Sequence, residues 1–362
     1  MSSQLDLLRR DLAGFRAYSA AAPDKSVIRL HANEVSWRRD WDDSPAGLNR
    51  YPDPAPAVLS ERLAALYGVA PESVLATRGS DDAIDVLVRA FCEAGRDSIV
   101  ISSPTFGMYA VAARVQGARV IDVPLSGPPD APFRLDTVAV ARAVDTHAAD
   151  SPVKLVFVCS PNNPTGNRQP EALVTDLLAR ISGRAIVVVD EAYVEFAGGA
   201  GLARRAASGE LLVLRTLSRA YGMAGARVGA LFGPPETTAL LRALLPPYLL
   251  PSPCVAAALR ATTQAALEDA AARAADIVAR RARLARDLAA FPGVREIYPS
   301  DGNFLLVRFA DAGDALARCG SAGILVRDFS GVPRLEGCLR ITVGSAAENE
   351  RLLEALAETA HV

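Results

Sequence analysis

The residues best suited to chemistry lie in the stretch from Leu214 to Gly229. An apolar run, Leu211 to Leu214, ends in the hydroxyl residues Thr216 and Ser218. Small residues and glycines then lead to Arg227, eight positions past Arg219. Hydroxyls at a strand end, backbone N–H groups and a fixed guanidinium together make a seat for a phosphate monoester. Gly79-Ser80-Asp81 opens a helix. There glycine allows close backbone approach, and the helix start offers free N–H groups and a positive dipole end; an ordinary N-cap has the same composition. Asp190-Glu191-Ala192-Tyr193 follows an apolar strand, so a carboxylate stands at a strand end with a phenol three residues on; a plain helix cap again fits Asp190. Asn163 lies in Pro161-Asn162-Asn163-Pro164-Thr165-Gly166, directly after another apolar strand, in a string that also forms turns. Open α/β sheets bind ligands at the carboxyl ends of their strands, and these candidates recur there.

The elements that must position them alternate. Helix Ala57 to Tyr67 precedes strand Val74 to Thr77, and helix Asp82 to Glu93 precedes strand Ser98 to Ser102. Helix Met108 to Gln116, strand Arg119 to Val123 and helix Leu135 to Val144 come next. Lys154 to Cys159 is a near-continuous apolar strand of the kind buried on both faces. It is followed by helix Pro170 to Ile181, strand Ala185 to Asp190 and the run at Leu211. This order predicts an α/β domain with a mostly parallel sheet flanked by helices, over residues 46–250. A long helical region, Cys254 to Leu288, ends at Pro292-Gly293. Strand Phe304 to Arg308, helix Ala312 to Ala322, strands Ile324 to Arg327 and Leu339 to Val343, and helix Ala346 to Thr359 then form a smaller α/β C-terminal domain over 251–362. Residues 1–45 read as an N-terminal arm joining that smaller domain, with helical spacing from Leu5 to Ala20 and a short strand from Ser26 to Leu30.

These strings resemble fold-type I, pyridoxal-phosphate (PLP) dependent aminotransferases, and most closely histidinol-phosphate aminotransferases. The resemblance runs from about Tyr18 to Leu356. It implies that Asp190 holds the cofactor's pyridine nitrogen protonated, making the ring an electron sink, and that Tyr193 and Asn163 meet its phenolic oxygen. Phe106, in Pro104-Thr105-Phe106-Gly107-Met108-Tyr109, matches the aromatic that stacks on the ring. Gly79, Ser80, Asp81, Thr216, Ser218 and Arg227 match the phosphate cup. Tyr51, in Asn49-Arg50-Tyr51-Pro52-Asp53, matches a tyrosine donated to the neighbouring subunit's cofactor phosphate, which implies a homodimer with shared sites. For substrate, Arg340 and Arg327 match anion-binding arginines, and two guanidiniums suit a phosphate ester better than a lone carboxylate. Tyr18, Asn33 and Asn303 match further substrate positions. The implied reaction moves an amino group between L-histidinol phosphate and 2-oxoglutarate, in histidine biosynthesis. An aminotransferase acting on aromatic or other amino acids, and a catalytically silent PLP-binding protein, are the alternatives.

Arg219 departs from the family. It stands where the family has the lysine that binds the cofactor as an imine. Arginine offers neither nucleophile nor base at ordinary pH, because its pKa lies above about 12 and its lone pairs are delocalised. PLP is therefore expected to bind non-covalently. An engineered Lys→Arg variant, a natural paralogue and a substitute lysine all fit the sequence. The lysines are only Lys25 and Lys154. Lys154 lies at the wrong end of its strand, and Lys25 could reach the site only through the arm.

Composition narrows the rest. A net charge of −2 gives no basic surface for nucleic acid. No apolar run approaches the roughly 20 residues of a membrane span, and the polar start, Met1 to Arg10, does not read as a secretory signal. The five cysteines are scattered without C-x-x-C spacing and read as free thiols in a reducing cytoplasm. His31, His147 and His361 form no metal-binding pattern.

Overall fold

The computed structural model describes residues 3–15, 28–45, 47–128 and 131–357. Its elements in chain order are α1 (Ala57–Tyr67), β1 (Val74–Thr77), α2 (Ser80–Phe91), β2 (Ser98–Ile101), α3 (Met108–Gln116), β3 (Arg119–Asp122) and α4 (Thr137–Thr146). There follow β4 (Val153–Cys159), α5 (Glu171–Ile181), β5 (Ile186–Asp190), α6 (Ala203–Ala207), β6 (Leu212–Thr216), β7 (Gly229–Phe232), α7 (Pro235–Leu244), α8 (Ser252–Ala261) and α9 (Gln264–Ala289). The chain closes with β8 (Val294–Ile297), β9 (Phe304–Phe309), α10 (Ala312–Ser321), β10 (Arg327–Asp328), β11 (Cys338–Thr342) and α11 (Ala346–Ala357).

Seven strands form one sheet in the order β1-β7-β6-β5-β4-β2-β3, and only β7 runs against the others. The near-continuous apolar strands explain this layering, since β4, β5 and β6 carry side chains that must be covered on both faces. Val156, Val158, Val187, Val189 and Val213 point into one core with α1, α4 and α5. Leu155, Phe157, Ile186, Val188 and Leu212 point into the other with α2 and α3. The second sheet, β10-β11-β9-β8, is antiparallel and packs on α9, α10 and α11 around Leu305, Val307, Leu339 and Leu352.

Several expectations change. The helical spacing from Leu5 yields only 3-10 turns, Gln4–Leu7 and Arg10–Leu12, before a positive-φ Gly14. Residues 3–15 of the expected arm dock beside the large sheet: Gln4 donates to the carbonyl of Gly209, the Arg9 amide donates to that of Ala90, and Leu7 and Leu8 pack on the α2–α3 core. Tyr18, Lys25 and most of the expected strand from Ser26 lie outside the described residues. The long helical region expected from Cys254 to Leu288 is two helices, α8 and α9, divided at Thr262-Thr263, where the Thr262 hydroxyl bonds back to the Ala258 carbonyl at 2.8 Å. The strand expected at Ile324 to Arg327 shortens to β10, an edge strand paired only with β11.

At the site end of the large sheet β7 lies between β1 and β6, so Gly229 faces both Thr77 and Thr216. A Cβ at Gly229 would sit 2.7 Å from the Gly79 Cα and 2.8 Å from the Arg215 carbonyl oxygen. Both are backbone atoms and cannot turn aside. Gly229→Ala should destabilise the fold by about 1–3 kcal/mol, read as a lower urea midpoint. Gly225→Ala, whose Cβ would meet nothing within 4 Å, should leave that midpoint unchanged.

Candidate active site

The carboxyl ends of β4, β5 and β6 stand side by side, because Cys159 pairs with Asp190 and Asp190 with Leu214 in the parallel register. The loops that leave these ends, with the start of α2, surround a small cavity open to solvent. Ser80, Asp81, Phe106, Asn163, Asp190 and Tyr193 line it, together with Thr216, Ser218, Arg219 and Arg227. Ten positions singled out in the sequence thus meet in one cavity.

Asp190 is the most constrained of them. It is 2% exposed. One carboxylate oxygen accepts from the Tyr109 hydroxyl at 2.8 Å and the other from the Ala192 amide at 3.1 Å. Burial pushes its carboxyl up from 3.8 to about 6, against the pull of Tyr109 and the Ala192 amide. Among the described residues no cation pairs with it, so the charge of Asp190 is left for a ligand. Beside it Asn163 donates to the Tyr193 hydroxyl at 3.3 Å, and Arg340 donates to the other end of the Asn163 amide. Burial raises the Tyr193 phenol, while Arg219 and then Arg340 pull it down. The Arg219 guanidinium lies over the Tyr193 ring, 5.4 Å from its centroid.

A compact hydroxyl and guanidinium group closes the other end. The Thr216 hydroxyl lies 2.8 Å from that of Ser218 and 3.1 Å from the Ser218 amide. Arg227, in a left-handed backbone conformation (φ 53°), donates to Ser218 at 3.3 Å and pairs with Asp81 at 3.2 Å. Gly79 is required here: at φ 82° a Cβ would also stand 2.8 Å from the Arg227 guanidinium. Donors on three elements converging on one end of a cavity suit a phosphate, and a buried unpaired carboxylate at the far end suits a protonated ring nitrogen. The residues fit a pyridine phosphate.

Other expected residues stand apart. Arg340 and Arg327 face each other across β11 and β10, and Phe304 and Phe329 flank the Arg340 guanidinium. Asn303 precedes β9 and contributes a backbone carbonyl to the Val343 amide. Asn33 is exposed and left-handed (φ 58°). Tyr51 does not line the cavity but stacks on Tyr248, with centroids 4.6 Å apart. Lys154 is the second residue of β4, five residues before Cys159, which places it about 16 Å down the strand from the site.

The sequence reading missed Tyr109, whose signal was a second aromatic one helical turn after Phe106. It also missed the buried cluster behind the site. Arg215 pairs with Glu191 at 2.9 Å and Glu195 at 3.1 Å and lies 4.7 Å over the Tyr67 ring. Burial raises both glutamates against the pull of Arg215. Glu191 follows Asp190 and Arg215 precedes Thr216, so this cluster ties the two strand ends together.

The sequence matches the aminotransferase class I and II family over residues 29–356. The chain belongs to that family. Its curated aminotransferase relatives include the histidinol-phosphate aminotransferase of Xanthomonas euvesicatoria pv. vesicatoria (strain 85-10), 48% identical over 99% of this chain and 98% of that one. That of Stenotrophomonas maltophilia (strain R551-3) is 46% identical over 97% and 96%. The crystal structure of the Sinorhizobium meliloti histidinol-phosphate aminotransferase in complex with pyridoxal-5'-phosphate superposes with a TM-score of 0.76, at 27% identity, over 85% of this chain and 82% of that one. The mostly parallel seven-stranded sheet is the fold-type I arrangement.

In this aminotransferase Asp190 costs stability when it ionises. Between pH 3.8 and about 6 the folded chain keeps a proton there that the unfolded chain has released, so stability falls as pH rises through that window. The loss amounts to at most about 3 kcal/mol. Asp190→Asn should flatten that fall in the ligand-free protein, measured as urea midpoints against pH. Parallel curves for the two proteins would contradict the assignment.

Proposed function

We propose that the cavity binds PLP non-covalently, and that the chain carries a site of the histidinol-phosphate aminotransferase type whose turnover is impaired by Arg219. The observation that carries the cofactor part is the buried Asp190 carboxylate without a cation, facing Tyr193 and Asn163 in one cavity with the Thr216, Ser218 and Arg227 group. In this reading Asp190 pairs with the ring nitrogen, Phe106 covers the ring, and Tyr193 and Asn163 hold its phenolic oxygen. Gly79, Ser80, Asp81, Thr216, Ser218 and Arg227 form the phosphate end. When bound, PLP supplies an electron sink for the carbon bearing the substrate's amino group. Arg340, with Arg327 beside it, takes the phosphate of a phosphorylated amino alcohol, since paired guanidiniums offer bidentate, charge-assisted bonds. Asn33, Asn303 and Tyr18 complete the substrate side.

The proton that must leave the substrate carbon is the missing part. A guanidinium stays protonated and cannot accept it. Arg219 therefore also supports a second reading, a PLP-binding chain that is catalytically silent. We further infer a homodimer in which Tyr51, half-exposed on its stack with Tyr248, reaches the phosphate end of the neighbouring site. A reducing cytoplasm suits the free cysteines, four of them buried.

Arg219→Lys tests the function. Supplied with PLP, L-histidinol phosphate and 2-oxoglutarate, this variant should turn over faster than the parent chain by roughly a hundredfold to ten-thousandfold, the usual worth of a positioned acid–base group. A variant that binds PLP yet stays inactive with this donor, while transaminating an aromatic amino acid, would overturn the substrate assignment.

A further inference from the structure

We propose that Arg219 makes the cavity selective among pyridine phosphates, favouring those with a neutral group on the carbon beside the phenolic oxygen over the one with an ammonium there. This rests on the reading of the cavity as a PLP-class site. The charged residues that line the space are Arg219, Arg227, Asp81 and Asp190, with Arg340 behind them on the Asn163 amide. Arg227 and Asp81 pair with each other at 3.2 Å, and Asp190 is the partner for a ring nitrogen. Among the described residues neither Arg219 nor Arg340 has a carboxylate partner. Both stand about Tyr193 and Asn163: Arg219 over the Tyr193 ring, and Arg340 bonded to Asn163. The field of Arg219 reaches Asp190 and Tyr193, lowering both, and opposes the charge on Arg340.

A pyridine phosphate carries its variable group on the ring carbon beside the phenolic oxygen, so with that oxygen held at Tyr193 the group would lie near Arg219, which covers the Tyr193 ring. An aldehyde or hydroxymethyl group there is neutral. An aminomethyl group is cationic and would meet the like charge of Arg219, which among the described residues no carboxylate pairs. Lysine at position 219 could shed its proton to relieve the repulsion. Arginine cannot, so the discrimination persists at every working pH. Arg219 is solvent-accessible, and screening holds the effect to roughly tenfold in affinity.

Equilibrium dialysis of the full chain tests this without reference to turnover. Pyridoxine 5'-phosphate, which cannot form an imine with any amine, is compared with pyridoxamine 5'-phosphate, first with the parent chain and then with Arg219→Met and Arg219→Gln. The parent should bind the hydroxymethyl compound roughly tenfold more tightly, and both neutral variants should bring the two affinities together. Equal or tighter binding of pyridoxamine 5'-phosphate by the parent would overturn the proposal while leaving the cofactor reading intact. An unchanged ratio in both variants would overturn the role of Arg219. Binding of neither compound would overturn the cofactor reading with it.

Discussion

The structure depends on a carboxylate buried at the end of the central strand β5 without a cation to match it. The parallel register with β4 and β6 fixes where Asp190 sits, Tyr109 and the Ala192 amide fix how it points, and burial raises the energy of its charged form. Leaving a carboxylate so exposed to desolvation is costly unless something cationic arrives. The charged cluster one residue further on, Arg215 with Glu191 and Glu195, keeps the two strand ends from relaxing away. It is internally paired, and removing one of its members would leave an uncompensated buried charge. Rigidity behind the site and unmet charge within it make the cavity a place for a ligand.

Arg219 changes the chemistry that such a cavity can do. The proposed grip on a ring nitrogen, a phenolic oxygen and a phosphate draws on residues other than Arg219, from five elements or their loops. Proton transfer needs a group that can be neutral, and a guanidinium is not one. Binding and turnover are therefore separable here, and the separation falls on a single side chain. A permanent charge in place of a titratable one also alters which ligands fit, since repulsion that lysine could relieve becomes fixed.

Much of this was legible in the sequence for identifiable reasons. The strands β4 and β5 declared themselves through runs such as Leu155 to Val158, because burial on both faces leaves no alternation. Asp190, Tyr193, Asn163, Thr216, Ser218 and Arg227 stood at strand ends in short strings with specific chemistry. The N-terminal spacing misled because Leu7 and Leu8 are apolar for docking on the α2–α3 core, and the stretch folds into 3-10 turns instead of an α-helix. The Thr262-Thr263 break was hidden inside a helical pattern. Tyr109 and Arg215 read as ordinary interior and strand residues, since only the fold brings Tyr109 to Asp190 and Glu191 to Arg215 across separate elements. The role proposed for Tyr51 involves a second subunit, so nothing local in its own string points to it.

The central claim is that this chain keeps the cofactor grip and lacks the amine. The most direct test is a titration of the purified protein with PLP, followed by absorbance, then borohydride reduction and intact mass. Saturable binding with no reduced adduct, at one cofactor per chain, is the result expected. A stoichiometric mass increase after reduction would show that a lysine, Lys25 or Lys154, forms the imine after all and would contradict the account.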